Sequence, residues 1–281
     1  MKRRAAAILT AILSLFAAFA AGTPAAAAPG KAQGPKPYQI VSLGDSFAAG
    51  STLDPAYVID IDCDRSSLAY PTKLIGKFTQ GPRVNRACTG DGIGDLTAQL
   101  AGVDLSKAKI IKLTIGGNDV GFGAITSCLA QAIATGTPAA GCVGLFDQAA
   151  LSNLPANLAG TLASIRTLAP QAKIFVSGYP LVLGTGTNPV CGQQEQLVAS
   201  LNYANGLLND AIAGGVGAAR TYYVDATYVD VVPAFAGQGY CAANPITEQY
   251  LLINQYLHPT ADGQRAYANT FNGVIKAAFA A

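Results

Sequence analysis

Gln39-Ile40-Val41-Ser42-Leu43-Gly44-Asp45-Ser46 is an apolar run that stops abruptly at a Gly-Asp-Ser turn. A short run with no polar alternation, bounded by a turn former, reads as a strand buried on both faces. Similar β-rich runs follow at Arg83–Ala87, Ile110–Ile115, Ile174–Ser177 and Tyr222–Asp225. Helical patterns lie between and after them. Leu197, Leu201, Ala204, Leu208 and Ile212 fall on one helical face, and so do Leu158, Leu162, Ile165 and Leu168 before the stop at Pro170. A last helix is expected from Thr260 as N-cap, with Tyr267, Phe271, Val274 and Ile275 turned inward. Strands alternating with helices imply an α/β fold of three α/β/α layers around a parallel sheet of about five strands. Ligands of such sheets bind at the carboxyl ends of the strands, where Ser46 stands.

Two further strand ends carry glycine-rich turns. Ala87 is followed by Cys88-Thr89-Gly90-Asp91-Gly92, and Ile115 by Gly116-Gly117-Asn118-Asp119. Either one alone is most simply a turn. At the ends of strands flanking Ser46, however, they offer the Gly90 N–H and the Asn118 amide beside the Ser46 N–H. An oxyanion hole needs such donors about 3 Å from a developing negative charge. The chain holds one histidine, His258, in Leu257-His258-Pro259. Any imidazole base must be this residue, and a zinc site built on several histidines is excluded. A serine at a strand end with one available base suggests nucleophilic attack on an ester.

The chain's margins and cysteines bear on where it works. Lys2, Arg3 and Arg4 precede an apolar stretch from Ile8 to Ala21 and the small residues Ala25 to Ala28, the pattern of a signal peptide over residues 1–28. Residues 29–37 read as an exposed leader and 38–281 as a single domain. Cleavage would take the formal net charge from +2 to −1 by removing three basic residues and no acids. Neither a basic patch for nucleic acid nor a span for stable membrane insertion remains. Cys63, Cys88, Cys128, Cys142, Cys191 and Cys241 form no C-x-x-C pair, so three disulfides are expected after export, with the pairing left open by the residues alone. Asp60, Asp62 and Asp64 alternate like the start of a calcium loop. Arg65 and Pro71 occupy its glycine and glutamate positions, so a solvated acidic loop is the better reading.

Gly44-Asp45-Ser46-Phe47 resembles the first block of the GDSL, or SGNH, hydrolases, with Phe47 in place of the leucine of the name. Gly90 matches the second block, Gly116-x-Asn118-Asp119 the third and His258-Pro259 the fifth, in order across nearly the whole chain after residue 38. The resemblance implies a flavodoxin-like fold with Ser46 as nucleophile, His258 as base, and Ser46, Gly90 and Asn118 as oxyanion donors. Similarity to secreted actinobacterial lipases and esterases implies the pairs Cys63–Cys88, Cys128–Cys142 and Cys191–Cys241. Where the family usually carries Asp three residues before the histidine, this chain has Gln255. The expectation is therefore a Ser–His dyad oriented by the Gln255 main chain, with Asp262 as the alternative orienter. No metal or organic cofactor is called for, and the partner is an ester substrate met by a secreted monomer. A carbohydrate (acetyl) esterase and a phospholipase would use the same residues. A non-catalytic secreted binding protein is the reading from a different class. The segment Val120–Leu158, with Phe122, Ile125, Leu129, Ile133, Val143, Leu145 and Phe146, has the composition to wall a hydrophobic groove.

Overall fold

The opening run forms β1 (Ile40–Gly44), buried along its whole length at the heart of a five-stranded sheet. This computed structural model describes residues 39–281 apart from 53, 74–80, 138, 187–190, 192–193, 243–249, 253–256 and 281. The expected signal peptide (1–28), the leader (29–37) and Gln255 lie outside the described residues.

β1 pairs in parallel with β4 (Arg83–Asn85) on one side and β5 (Ile110–Thr114) on the other; β6 (Lys173–Ser177) and β7 (Ala226–Val229) extend the sheet beyond β5. The chain thus moves outward from β1 in one direction and then in the other. The crevice where the direction reverses lies at the carboxyl ends of β1 and β5, the position at which doubly wound sheets bind ligands. Ladder contacts continue past β4, through Arg86 N–H to Ser42 O at 2.8 Å and Cys88 N–H to Gly44 O at 2.9 Å. These carry the Gly90 turn up to the end of β1.

Helices cover both faces, as buried parallel strands require. α4 (Gln148–Leu168) and α5 (Glu195–Arg220) pack side by side, with α2 (Leu96–Gln99) next to α4. Gly215 permits this closeness, since a Cβ there would lie 3.0 Å from the Leu158 side chain and the Pro155 carbonyl. α6 (Ala261–Ala280) packs Tyr267 and Phe271 onto the ring of Tyr70, with centroids 5.2 and 4.8 Å apart. Thr260 Oγ1 accepts the Gly263 N–H at 3.2 Å and so caps α6.

One expectation is corrected. The fifth strand lies at Ala226–Val229, not at Tyr222–Asp225. Thr221, Tyr222 and Tyr223 instead close the end of α5 with N–H bonds to carbonyls three residues back, and Tyr223 takes a left-handed φ of 58°. α4 begins ten residues before Leu158, capped by Asp147 accepting from Ala150 N–H at 2.9 Å, and runs through Pro155. Among the described residues, two small antiparallel pairs stand apart from the main sheet. β2 (Val58–Asp60) pairs with β3 (Arg65–Ser66), and β8 (Leu251–Leu252) with β9 (His258–Pro259), which carries the histidine.

Between β5 and α4 come a 3-10 turn at Asn118–Val120, α3 (Phe122–Thr135) and a second such turn at Ala140–Leu145, joined to α3 by the Cys128–Cys142 disulfide. Cys63–Cys88 ties the β2–β3 hairpin to the Gly90 turn, and Cys191–Cys241 closes a third loop. Of the acidic hairpin, Asp60 pairs with Arg65 and accepts the N–H groups of Asp62 and Cys63.

Candidate active site

Ser46 is delivered by a turn that only glycine can make. Gly44 has φ 129°, and a Cβ on it would lie 2.2 Å from the Thr114 carbonyl of β5. Asp45 then caps α1 (Ser46–Ala49), accepting the Phe47 N–H on Oδ1 at 3.0 Å, and Gly50 ends this single turn in the left-handed region. His258 arrives from the far end of the chain on β9, next to Leu257 at φ 60° and against the Phe47 ring, 5.1 Å between centroids. Its Nε2 lies 2.6 Å from Ser46 Oγ.

The two glycine-rich turns close on the same point. Gly90 holds φ 90°, and its neighbours are fixed by Thr89 N–H to Cys63 O at 3.1 Å and Asp91 N–H to Cys88 O at 3.2 Å. The Asn118 side-chain amide donates one hydrogen to Asp91 O at 2.8 Å, which leaves its second N–H for another acceptor. Asp119 accepts the Ile93 N–H at 3.1 Å on either oxygen, tying the third block to the second. Ser46, Gly90, Asn118 and His258 all line one cleft of about 260 Å³, walled by Phe122 and Thr126 of α3 and by Tyr179.

Residues not singled out from the sequence hold these loops together. Gln99 accepts the Gly44 N–H at 2.8 Å and donates to Gly44 O and Asp91 Oδ2, both at 2.7 Å. Tyr179, just past β6, donates to Asp45 Oδ2 and accepts the Gly117 N–H at 2.9 Å. A tyrosine at the end of a fourth strand was the available signal; Gln99 offered none. Burial pushes the Asp45 carboxyl up to about 7 despite the Tyr179 and Phe47 hydrogen bonds, and the Asp119 carboxyl is also raised by burial. Asp262, the alternative orienter of His258, is half exposed and pairs with Arg265 at 2.8 Å.

A family model described as GDSL-like Lipase/Acylhydrolase matches residues 42–266, from within β1 to the first turns of α6. The chain belongs to this GDSL-like lipase/acylhydrolase family. The matched GDSL region takes in Ser46, Gly90, Asn118 and His258 together. The chain is 31% identical over 260 residues to Lipase 1 of Streptomyces coelicolor, covering 90% of this chain and 91% of that protein. It is 32% identical over 275 residues to a lipase of Streptomyces rimosus, covering 94% and 95%. Among solved structures it resembles phospholipase A1 from Streptomyces albidoflavus, with TM-score 0.68 and 27% identity over 85% of this chain and 99% of that one. The extracellular lipase of Streptomyces rimosus is similarly placed, with TM-score 0.66 and 28% identity over 83% and 98%. The GDSL chain therefore shares its three-layer α/β/α fold with crystal structures across nearly their full length.

Proposed function

We propose that the chain is a secreted carboxylic-ester hydrolase of the lipase type, working through a Ser46–His258 dyad and an oxyanion hole of Ser46 N–H, Gly90 N–H and Asn118 Nδ2. Residues 1–28 would be removed on export and 29–37 form a leader, while 38–281 act as one catalytic domain in a monomer. The observation that carries the reading is the 2.6 Å contact between His258 Nε2 and Ser46 Oγ inside a cleft also lined by Gly90 and Asn118.

The reaction runs in two halves. His258 Nε2 takes the Ser46 proton as Oγ bonds to the ester carbonyl carbon, and the carbonyl electrons move onto its oxygen. The three N–H donors meet that charge; Ser46, at the first position of α1, has a main-chain N–H with no acceptor within the helix. The imidazolium then returns the proton to the departing alcohol oxygen, leaving an acyl-serine. Water, deprotonated by the same nitrogen, cleaves it and restores Ser46. Phe122 and Thr126, one helical turn apart on α3, offer the acyl chain a largely apolar wall. Three disulfides and the family's extracellular relative support secretion.

Hydrolysis of p-nitrophenyl esters from acetate to palmitate, with Ser46→Ala as blank, tests the proposal. Serine-dependent turnover that extends to the long chains is expected. A rate equal to the blank throughout would refute it. A phospholipase is the second reading, favoured by the likeness to phospholipase A1. It predicts Ser46-dependent release of fatty acid from phosphatidylcholine vesicles.

A further inference from the structure

Tyr179 stands two residues past β6, where the chain has no room for a side chain before it. A Cβ at Gly178 would lie 2.4 Å from both Asn209 Oδ1 and the Tyr228 hydroxyl. Asn209, buried on α5, grips the Tyr179 main chain from both sides. It accepts the Tyr179 N–H on Oδ1 and donates to the Tyr179 carbonyl from Nδ2, each at 2.8 Å. The ring packs edge-on against Phe47 at 5.0 Å and near Phe122 at 5.9 Å. With main chain and ring fixed, the hydroxyl has no freedom to choose its partners.

Those partners belong to two different loops. The hydroxyl donates to Asp45, the residue before Ser46, and accepts from the N–H of Gly117, the residue before Asn118. The Gly117 carbonyl in turn accepts the Phe122 N–H at 2.8 Å, where α3 begins. One hydroxyl therefore ties together the nucleophile turn, the oxyanion loop and the root of the cleft wall. Burial and the charge of Asp45 push the Tyr179 hydroxyl well above its ordinary range, so it stays a donor at neutral pH. An N–H, an O–H and a carboxylate in series polarise one another, which stiffens the link.

We infer that Tyr179 is a positioning residue of the ester hydrolysis: its hydroxyl sets the spacing between Ser46 and Asn118 and acts on the reacting carbonyl through them. The inference rests on the Ser46–His258 reading given above. Attack by Oγ and capture of the oxyanion must be satisfied by one carbonyl group at once. A misplacement of about 1 Å between reacting groups costs on the order of 10²-fold in rate.

Tyr179→Phe keeps the ring and removes only the hydroxyl. The expected result is a kcat lower by about 10- to 100-fold on a short p-nitrophenyl ester, with KM within about twofold. Inactivation by a p-nitrophenyl alkylphosphonate, whose adduct places a negative oxygen where the oxyanion forms, should slow by a similar factor. Both are read at a temperature where circular dichroism shows the variant folded. Asp45→Asn leaves one acceptor oxygen for the two donors Phe47 N–H and Tyr179 O–H and so weakens the same link from its other end; the double variant should lose about as much as the worse single variant. A Tyr179→Phe kcat within about twofold of wild type, or fully multiplicative losses in the double variant, overturns the inference. If Tyr179→Phe does not fold, Asp45→Asn decides alone: a loss in kcat upholds the role, and an unchanged kcat or a change confined to KM overturns it. Ser46→Ala separates the two levels. Ser46-dependent labelling with unimpaired Tyr179→Phe turnover removes the positioning role only, whereas activity that survives Ser46→Ala removes both.

Discussion

Replacing Asp45 by asparagine should alter how the protein's stability depends on pH, and by an amount the structure allows to be worked out. Asp45 is 2% exposed. Its carboxylate keeps the Phe47 N–H and the Tyr179 O–H as partners, yet loss of hydration outweighs them and pushes the carboxyl from 3.8 to about 7. In the unfolded chain the group ionises near its ordinary value. Below that pH both states hold the proton and the group costs nothing. As pH rises from about 4 to about 7 the unfolded chain gives up its proton first, so this group's contribution to stability falls steadily. Above about 7 both states are ionised and the deficit is constant. At about 1.36 kcal/mol for each pH unit, the full deficit is about 4 kcal/mol, a large share of the 5–15 kcal/mol typical of a folded domain. Asparagine does not titrate. Urea unfolding followed by circular dichroism, disulfides intact, at about pH 4 and about pH 8 gives the test. The difference in unfolding free energy between Asp45→Asn and wild type should move by about 3–4 kcal/mol in favour of the variant as pH rises. Asp119, also raised by burial, is present in both proteins and largely cancels. A difference that stays constant within about 0.5 kcal/mol across that range would refute the reasoning, because Asp45 would then be as easily ionised folded as unfolded.

Two further perturbations reach other parts of the molecule. Asn118→Asp replaces an oxyanion donor by a repelling oxygen and should lower kcat by about 10²–10³, measured on p-nitrophenyl butyrate; wild-type turnover would remove Asn118 from the hole. Lys112 is fully buried in β5, with its Nζ 3.4 Å from Pro71 O and 5.5 Å from the centre of the Tyr70 ring, and burial holds its amine well below the ordinary range. Lys112→Met should therefore stabilise the fold by about 1–4 kcal/mol at neutral pH. The penalty it removes is complete below the depressed value and vanishes as pH approaches 10.5, so the gain should shrink in alkaline urea melts. A gain that grows with pH would show the sign to be wrong.

The same distinction between a residue and its surroundings decides what the sequence could reveal. Central strands such as β1 and β5 are buried on both faces, so they stand out as short dense runs even with Lys112 among them. α5 was legible because its apolar side chains recur on one face. The last strand was misplaced because Tyr222 and Tyr223 are good strand formers by type, while in the fold they are 62% and 89% exposed at a helix end. The first ten residues of α4 were hidden by Pro155, whose cost as a helix breaker is offset by tight packing on Gly215. β8 and β9, two residues each, carry no local pattern at all.

At the site, Ser46, Gly90 and Asn118 could be found because each follows a strand of the sheet, and a parallel sheet gathers such ends at one edge. His258 stands on no strong local pattern and could be found because the chain has no other histidine and because His258-Pro259 resembles the family's fifth block. The supports were not legible, for a physical reason. Asp45 sits in the Gly-Asp-Ser turn, but the neighbouring main-chain N–H of Phe47 offsets only part of the loss of its hydration. Its strongest partner, Tyr179, is 134 residues away, and Gln99, which clamps Gly44, is 55 residues away. A buried carboxyl next to a nucleophile is stable only if distant groups are brought to it in the right orientation. Removing the Tyr179 hydroxyl should accordingly weaken both the tolerance for the Asp45 charge and the alignment of Ser46 with Asn118. Tyr179→Phe would then raise the apparent Asp45 pKa in the urea series while lowering kcat. If only one of the two moved, Asp45 burial and active-site alignment would be separate properties of this fold.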